Sequence, residues 1–156
     1  MSRYEETLAE LGLTVPELAA PVANFVPYVV TGNLVYVSGQ IPTRDGKLDF
    51  VGKLGRDFDV EQGREAARLC VLNVLSVIRH ACGGDLDRVA RCVRLGGFVN
   101  STDEFTNQPE VMNGASDLVV AVFGERGRHA RAAVSVNALP RGVAVEVDAV
   151  FEIAHD

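Results

Sequence analysis

Two ionisable residues in the carboxyl-terminal part of the sequence are the strongest candidates for chemistry. Arg131 begins a segment in which the next residues of the same parity, Ala133 and Ser135, are small. Small neighbours leave room for a ligand carboxylate on the planar, bidentate guanidinium. Glu146 lies in the following segment, where a carboxylate could position a water molecule or carry a proton. A solvated edge arginine and a structural ion pair are the competing interpretations.

A second set of residues has the chemistry to line a cleft around a ligand. Tyr28 could cover a ligand with its ring or phenol, and the run Ser38-Gly39-Gln40 offers backbone N–H groups where a predicted strand ends. Asn113 is unusual inside a predicted helix, because asparagine is a mediocre helix former. The alternatives are a packed strand tyrosine, an ordinary turn, and an asparagine that faces solvent.

The common catalytic and metal-binding signatures are missing from the sequence. It contains no G-x-S-x-G elbow, no P-loop and no glycine-rich dinucleotide turn. The histidines are scattered, and the cysteines form no C-x-x-C pair, which indicates buried thiols. We therefore expect neither a metal ion nor a cofactor. The residues concerned are His80, His129 and His155, and Cys70, Cys82 and Cys92.

Composition narrows the classes of partner. The chain has 156 residues, which fits one ordinary domain, and its net charge of -6 argues against a nucleic-acid binder. Aromatic residues make up only 6%, so a platform for stacked bases is not expected. No run approaches the ~18 apolar residues of a membrane span, and residues 1–13 lack the apolar core of a secretory signal. These features predict a cytoplasmic protein that binds neither nucleic acid nor membrane.

Hydrophobic periodicity predicts a short amphipathic helix at residues 2–12, with Leu8 and Leu11 on one side. An extended arm follows, interrupted by Pro16, Pro21 and Pro27. We therefore divide the chain into an N-terminal helix and arm, residues 1–23, and a single domain, residues 24–156.

The domain is predicted to contain its elements in the order β-β-(β)-α-β-α-β-β. Asp59 is suited to cap the first long helix and Pro109 to open the second, which Gly124 would close. Such an order indicates an α+β fold, with a mixed sheet covered on one face by two helices. The predicted elements are a hairpin at 28–30 and 34–37, a short strand within 46–52, a helix at 60–82, a strand at 88–99, a helix at 109–123, and strands at 131–138 and 143–153.

Alternation along the predicted strands assigns side chains to the two sheet faces. The apolar sets should meet the helices, and they include Val89, Val93, Leu95 and Val99 in the first strand after the long helix. The opposite face would carry Arg131 and Glu146 together, and would be either wet or an oligomer interface. The other polar residues predicted on that face are Ser135, Asn137 and Asp148.

A register estimate separates the two charged candidates along the sheet. If residues 139–142 form the loop between paired strands, Arg131 lies opposite Val150, four residues from Glu146. Four residues span about 13 Å at ~3.3 Å each, so one small ligand would not easily touch both within one chain. The hypothesis is that they converge across a subunit interface or serve different sites.

Two short motifs make the sequence resemble a known family. Ser38-Gly39-Gln40-Ile41-Pro42 stands near the start of the domain, and Arg131, Leu139-Pro140 and Val145-Glu146-Val147-Asp148-Ala149 stand near its end. In this order, with two helices between them, they resemble the Rid family over roughly residues 24–153. These YjgF-type reactive-intermediate deaminases were once labelled L-PSP endoribonucleases.

The resemblance implies a chorismate-mutase-like fold (bacillus type) and a homotrimer with sites in clefts between subunits. It also implies hydrolysis of enamines and imines such as 2-aminoacrylate to a 2-oxo acid and ammonia, without metal or cofactor. By position, Arg131 corresponds to the arginine that clamps the substrate carboxylate, and Glu146 to the carboxylate that helps to activate water. Tyr28 corresponds to the aromatic residue of the cleft, Gly39 to a backbone position near the substrate nitrogen, and Asn113 to the family's helix asparagine.

The sequence also departs from the family pattern. Ala133 stands where the family deaminases often have cysteine, residues 105–113 form a longer segment, and the N-terminal arm is extra. These departures indicate a divergent branch, in which the same clefts either hydrolyse imines or only bind small carboxylates such as 2-oxo acids. A ribonuclease is disfavoured by the acidic balance, the scattered histidines and the few aromatic residues.

Overall fold

Five strands form one mixed sheet, and two long helices cover one of its faces. The computed structural model describes residues 1–20 and 23–155, so Pro21 and Asp156 lie outside the described residues. The elements are α1 (Arg3–Glu10), β1 (Tyr28–Thr31), β2 (Leu34–Gln40), β3 (Thr43–Arg44), β4 (Lys47–Leu48), α2 (Val60–Ala81), β5 (Val89–Asn100), α3 (Gln108–Phe123), β6 (Ala130–Val136) and β7 (Val145–Ile153). The predicted α+β class, with a mixed sheet, is confirmed.

The strand order across the sheet is β1-β2-β7-β5-β6. All neighbours are antiparallel except β5 and β6, which run parallel and are joined by the crossover helix α3. β3 and β4 form a separate two-stranded hairpin, so the short strand predicted within residues 46–52 is reduced to Lys47–Leu48. β6 is therefore an edge strand at one side of the sheet, and β1 is the edge strand at the other.

Local sequence signals set the ends of the two long helices. The Asp59 side chain accepts a hydrogen bond from the Gln62 backbone N–H, and the Gln62 side chain bonds back to the Asp59 backbone. Pro109 lies in the first turn of α3, and Gly124 ends that helix with φ 61°. All three predicted helix signals are confirmed. The helices pack closely at Gly114, where a Cβ atom would lie 2.7 Å from the Arg64 carbonyl carbon.

The core lies between the sheet and the helices, and β7 is its most regular wall. Its odd-numbered residues, from Val145 to Ile153, are buried, while its even-numbered residues are half-buried on the open face. β5 departs from the predicted alternation. Its pairing with β7 shifts register between Cys92 and Arg94, so Cys92 is fully buried and Val93 is not. The prediction for Val93 is wrong because a bulge reverses the parity of the strand at that point.

The edge strand β6 presents its faces in the opposite sense to the prediction. Arg131 and Ala133 lie on the helix side, opposite Leu95 and Gly97, while Val134 is exposed on the open side. Ser135 is on the helix side as well, bonded to Gln108 of α3. The prediction that Arg131 and Ser135 share the open face with Glu146 is therefore wrong. Near this edge α3 presents polar side chains to the sheet. The residues of β6 that face the helix are therefore not its most apolar ones.

The helix α1 packs against the end of α3. Tyr4 and Leu8 are buried, and the Tyr4 ring meets Phe123 edge to face, with 4.7 Å between ring centroids. Leu11, predicted on the same side as Leu8, follows the last helical residue and is 42% exposed. Within the described residues, no helix is both long enough and apolar enough to span a bilayer.

Candidate ligand-binding site

The guanidinium of Arg131 is held against α3 by two side chains of that helix. Its Nη1 donates to Asn113 Oδ1 at 2.9 Å and to Ser116 Oγ at 3.0 Å. Asn113 and Ser116 are three residues apart and so share one helix face. The structure thus brings together the predicted residues Arg131 and Asn113, and it gives the mid-helix asparagine a defined partner.

One edge of the Arg131 guanidinium, formed by Nε and Nη2, is only weakly engaged by the described residues. Both Nη1 hydrogens are used, and Nη2 makes a long hydrogen bond of 3.5 Å to the Pro109 carbonyl. Within residues 1–20 and 23–155, Nε has no partner. Nε and Nη2 project parallel N–H groups from the same side of the group, which is the geometry that binds a carboxylate in bidentate fashion. Arg131 is half-buried, so its side chain is held by the protein while this edge stays accessible from solvent.

The surroundings of this edge on β6 are small or polar, as the sequence predicts. Ala133 is half-buried and packs against the core. Beyond it, Ser135 Oγ accepts from Gln108 Nε2 at 2.7 Å and lies 2.7 Å from Ser101 Oγ. No bulky side chain of β6 therefore stands between Arg131 and the first turn of α3.

Glu146 lies elsewhere, in contact with Gly39 on the neighbouring strand β2. A Cβ atom at Gly39 would come within 3.0 Å of both the carboxyl carbon and Oε1 of Glu146. The β2–β7 register shifts between Val37 and Gln40, which places a bulge at Ser38 and Gly39. The bulge and the missing side chain make room for the carboxyl group over β2, so the predicted residues Gly39 and Glu146 do meet.

The environment of Glu146 suits proton transfer. Burial raises the pKa of Glu146, and the nearby charge of Asp148 raises it further. Asp148 is paired with Arg94 at 3.6 Å, whereas Glu146 has no hydrogen bond or ion pair with any other residue that the structure describes. The structural ion pair weighed for Glu146 therefore belongs to its neighbour.

Arg131 and Glu146 do not converge within one chain. β5 lies between their strands, and pairs with Arg131 through Leu95 and with Glu146 through Phe98. These two β5 residues differ by three positions, which places Arg131 and Glu146 on opposite faces of the sheet. Two strand spacings and three residues separate their backbones by about 14 Å. The register based on a 139–142 hairpin is wrong, because β6 does not pair with β7, but a single small ligand still cannot span the pair.

The remaining predicted residues lie at the far edge of the sheet. The Tyr28 hydroxyl is 3.0 Å from His80 Nδ1, and β1 is four strand spacings, about 19 Å, from β6. Ser38 Oγ donates to the Val26 carbonyl at 2.7 Å, and Gln40 Nε2 donates to the Ser38 carbonyl at 3.0 Å. The candidate residues thus fall into two separate groups, which we call half-sites. The first is Arg131 with Asn113, and the second is Ser38, Gly39, Gln40 and Glu146 on β2 and β7 together with Tyr28, which is on the helix side of β1.

The sequence analysis missed two residues of the first half-site. Ser116 bonds to Arg131, and His129 in turn bonds to Ser116. Helical spacing from Asn113 would have indicated Ser116, and strand parity from Arg131 would have indicated His129, once Arg131 was placed on the helix side.

Comparison with known proteins places the chain in a family. A family model described as "YjgF/chorismate_mutase-like, putative endoribonuclease" matches residues 5–151. The chain belongs to the YjgF/Rid family. The resemblance of the two motifs to this family is thereby confirmed, together with the chorismate-mutase-like fold.

Similar proteins and solved structures cover most of the chain. Protein TCP17 of Trypanosoma cruzi is 51% identical over 152 residues, which cover 97% of this chain and 94% of that protein. The structure of Atu1372 from Agrobacterium tumefaciens, described as having unknown function, is 47% identical with a TM-score of 0.92, covering 98% of this chain and 94% of its own. RidA from an Antarctic Psychrobacter is 27% identical with a TM-score of 0.60, covering 88% and 94%. Membership of this family suggests imine deamination or the binding of small molecules.

Proposed function

We propose that the protein hydrolyses small reactive enamine and imine acids, of the 2-aminoacrylate type, to 2-oxo acids and ammonia. The observation that carries this proposal is the Arg131 guanidinium, held by Asn113 and Ser116, with Nε unpaired among the described residues and Nη2 bonded only at 3.5 Å to the Pro109 carbonyl. The edge formed by Nε and Nη2 matches the carboxylate which these substrates and their products share.

The separation of the two half-sites supports a site that is completed by a second subunit. Arg131 is on one sheet edge and Tyr28 is on the other, so a second copy is needed to bring such edges together. The open sheet face also leaves large apolar residues exposed, with Val29 at 54%, Tyr36 at 48% and Val134 at 47%. Val29 and Tyr36 are paired across β1 and β2, and contiguous exposed apolar surface of this kind marks an interaction site. We therefore propose that the reaction takes place in clefts between subunits, in the homotrimer that the resemblance to the family implies.

The proposed reaction assigns one role to each half-site. Arg131 holds the substrate carboxylate, and an enamine first takes a proton from solvent on carbon to become the protonated imine. A water oxygen then bonds to the imine carbon while Glu146 accepts a water proton, which it passes to the nitrogen. The carbinolamine hydroxyl then loses its proton to solvent as the C=O bond of the 2-oxo acid forms, and the C–N bond breaks to release ammonia. A carboxyl group whose pKa is raised is better matched to both proton transfers near neutral pH.

A non-catalytic role in binding 2-oxo acids would use the same arginine edge. The two functions differ at Glu146, because a pure carboxylate binder gains nothing from a second negative charge near its ligand. If a change at Glu146 abolishes turnover while ligand binding is retained, the wild-type protein is therefore an enzyme.

The test generates 2-imino acids with an amino-acid oxidase in the presence of semicarbazide, which competes for the imine. We expect the wild-type protein to lower semicarbazone formation and release ammonia, and Glu146→Gln to lose this activity while it still binds 2-oxo acids. Glu152→Gln is the matched control, because Glu152 is half-buried on the same face of β7. If the wild-type protein is inactive with several amino-acid precursors, the proposed enzymatic activity is refuted and the binding function remains. If Glu146→Gln is as active as Glu152→Gln, Glu146 has no part in the mechanism.

A further inference from the structure

A chain of hydrogen bonds continues from Arg131 through Ser116 to His129. Ser116 Oγ is 2.9 Å from His129 Nε2, and His129 Nδ1 is 2.6 Å from the Gly127 carbonyl oxygen. His129 directly precedes β6, and Ser116 lies in the middle of α3. The chain therefore ties the strand that carries Arg131 to the helix that supports its guanidinium.

Donor and acceptor roles fix the direction of this chain. A carbonyl oxygen can only accept, so the proton of a neutral His129 must lie on Nδ1, and Nε2 is then the acceptor. Ser116 consequently donates its hydroxyl proton to Nε2. Its oxygen lone pairs are left to receive Nη1 of Arg131. The order is thus Arg131 to Ser116 to His129 to the Gly127 carbonyl, with each group donating to the next.

We propose that His129 and Ser116 are positioning residues, which orient Arg131 for a ligand carboxylate. A serine hydroxyl can rotate, so Ser116 alone would not hold a lone pair towards Nη1. His129 removes that freedom by accepting the hydroxyl proton from the opposite side. With Asn113 as the second acceptor, both Nη1 hydrogens are then committed, and the plane of the guanidinium is fixed. Nε is left without a partner among the described residues, and Nη2 keeps only its 3.5 Å bond to the Pro109 carbonyl. This inference rests on the proposed role of Arg131 and adds the residues that set its geometry.

The same chain does not make Ser116 a nucleophile. Its oxygen receives a charged donor from Arg131, which stabilises the lone pair that an attack would need. The adjoining surface groove of about 500 Å³ is open, and Ser116 and His129 are among its lining residues. This openness gives small molecules access to the position of the imidazole, which makes chemical rescue feasible.

The first test measures how tightly the variants bind pyruvate, a small 2-oxo acid. Because neither side chain is proposed to touch the ligand, Ser116→Ala and His129→Ala should each weaken binding by about two- to tenfold, the equivalent of one neutral hydrogen bond. Ser116→Thr keeps the hydroxyl and should bind like wild type, and added imidazole should restore His129→Ala. In turnover, KM should rise while kcat changes little, since neither residue touches the reacting carbon. The inference would be overturned if both alanine variants kept the wild-type Kd for pyruvate, or if Ser116→Thr bound pyruvate as weakly as Ser116→Ala.

A second test does not depend on the proposed function. In nitrogen NMR spectra of the wild-type protein, His129 should be the Nδ1–H tautomer at neutral pH. The Arg131 Nε–H signal should broaden or exchange faster in His129→Ala but not in Arg128→Ala, a matched change of a neighbouring exposed arginine. An Nε2–H tautomer, or an Arg131 signal unaffected by His129→Ala, would refute the relay. A correct tautomer and a responsive Arg131, in a protein that neither binds 2-oxo acids nor hydrolyses imines, would refute only the proposed function.

Discussion

Replacing Arg131 with lysine separates the charge of the side chain from its fork. Lysine keeps a positive charge, but its single ammonium cannot match both oxygens of a carboxylate as Nε and Nη2 do. Each charge-assisted hydrogen bond contributes about 1.5–3 kcal/mol, so loss of one of two bonds should weaken carboxylate binding by about 10- to 150-fold. Arg131→Ala loses both bonds and should weaken binding by at least about 150-fold.

The assay is calorimetric binding of pyruvate, paired with kcat/KM for imine hydrolysis. Arg128→Ala is the control, because Arg128 lies three residues away with a side chain that is 70% exposed, and it should bind like wild type. Removing Arg131 leaves Asn113 Oδ1 and Ser116 Oγ without their donor, so melting curves must show that each variant is folded. Binding by Arg131→Lys and Arg131→Ala within twofold of wild type would refute the assignment of this edge to the ligand.

Three further predictions concern the rest of the molecule. Because the pKa of Glu146 is raised above its ordinary value of 4.5, its charge destabilises the fold at neutral pH, so Glu146→Gln should increase the free energy of unfolding at pH 7. In urea titrations from pH 8 to 4 that gain should shrink as the pH falls through the raised pKa, and it should vanish below about 4.5; a constant gain would contradict the assigned environment. Leu8→Ala should lower the free energy of unfolding by about 2–5 kcal/mol, because Leu8 is 1% exposed, whereas Leu11→Ala, at 42% exposure, should change it by no more than about 0.5 kcal/mol. Equal effects in urea unfolding would mean that α1 is not part of the core. Val134→Glu on the open face should dissociate the proposed trimer in light scattering, and Leu11→Glu should not; an intact Val134→Glu trimer would exclude that face from the interface.

Elements whose signals are local could be predicted from the sequence. The long helix α2 combines an apolar period with a capping box, and its observed start at Val60 and cap at Asp59 follow from those residues alone. α3 is bounded in the same way by Pro109 and Gly124. Such signals act over a few residues, so no knowledge of the rest of the chain is needed to interpret them.

The sheet order and the faces of β6 could not be obtained in that way. Alternation in residues 131–138 is the same whether the strand pairs with β7 or with β5, and the turn at 139–142 favoured the wrong partner. The bulge in β5 likewise leaves no local mark, yet it exchanges Val93 for Cys92 in the core. Both depend on which strand lies alongside, a property of the whole fold.

The sequence analysis named residues that meet in the structure, but it did not predict how they are arranged. Arg131 and Asn113 were named for separate reasons, and Gly39 and Glu146 likewise, yet each pair meets in the structure. Ser116 and His129 have significance only once Arg131 is placed on the helix side of the sheet. A positioning residue carries no chemical signal of its own, because its role is defined by the group that it holds.

The position of Arg131 on an edge strand connects the proposed site with the proposed assembly. An unpaired strand edge is prone to unspecific pairing, and proteins cover or charge such edges. β6 is an edge whose open face bears the exposed Val134 and whose helix side bears Arg131, with its proposed ligand-binding edge. A subunit that covers this edge would bury the apolar residue and at the same time bring its own groups to the guanidinium. In the proposed trimer, protection of the edge and completion of the site are therefore achieved by the same contact.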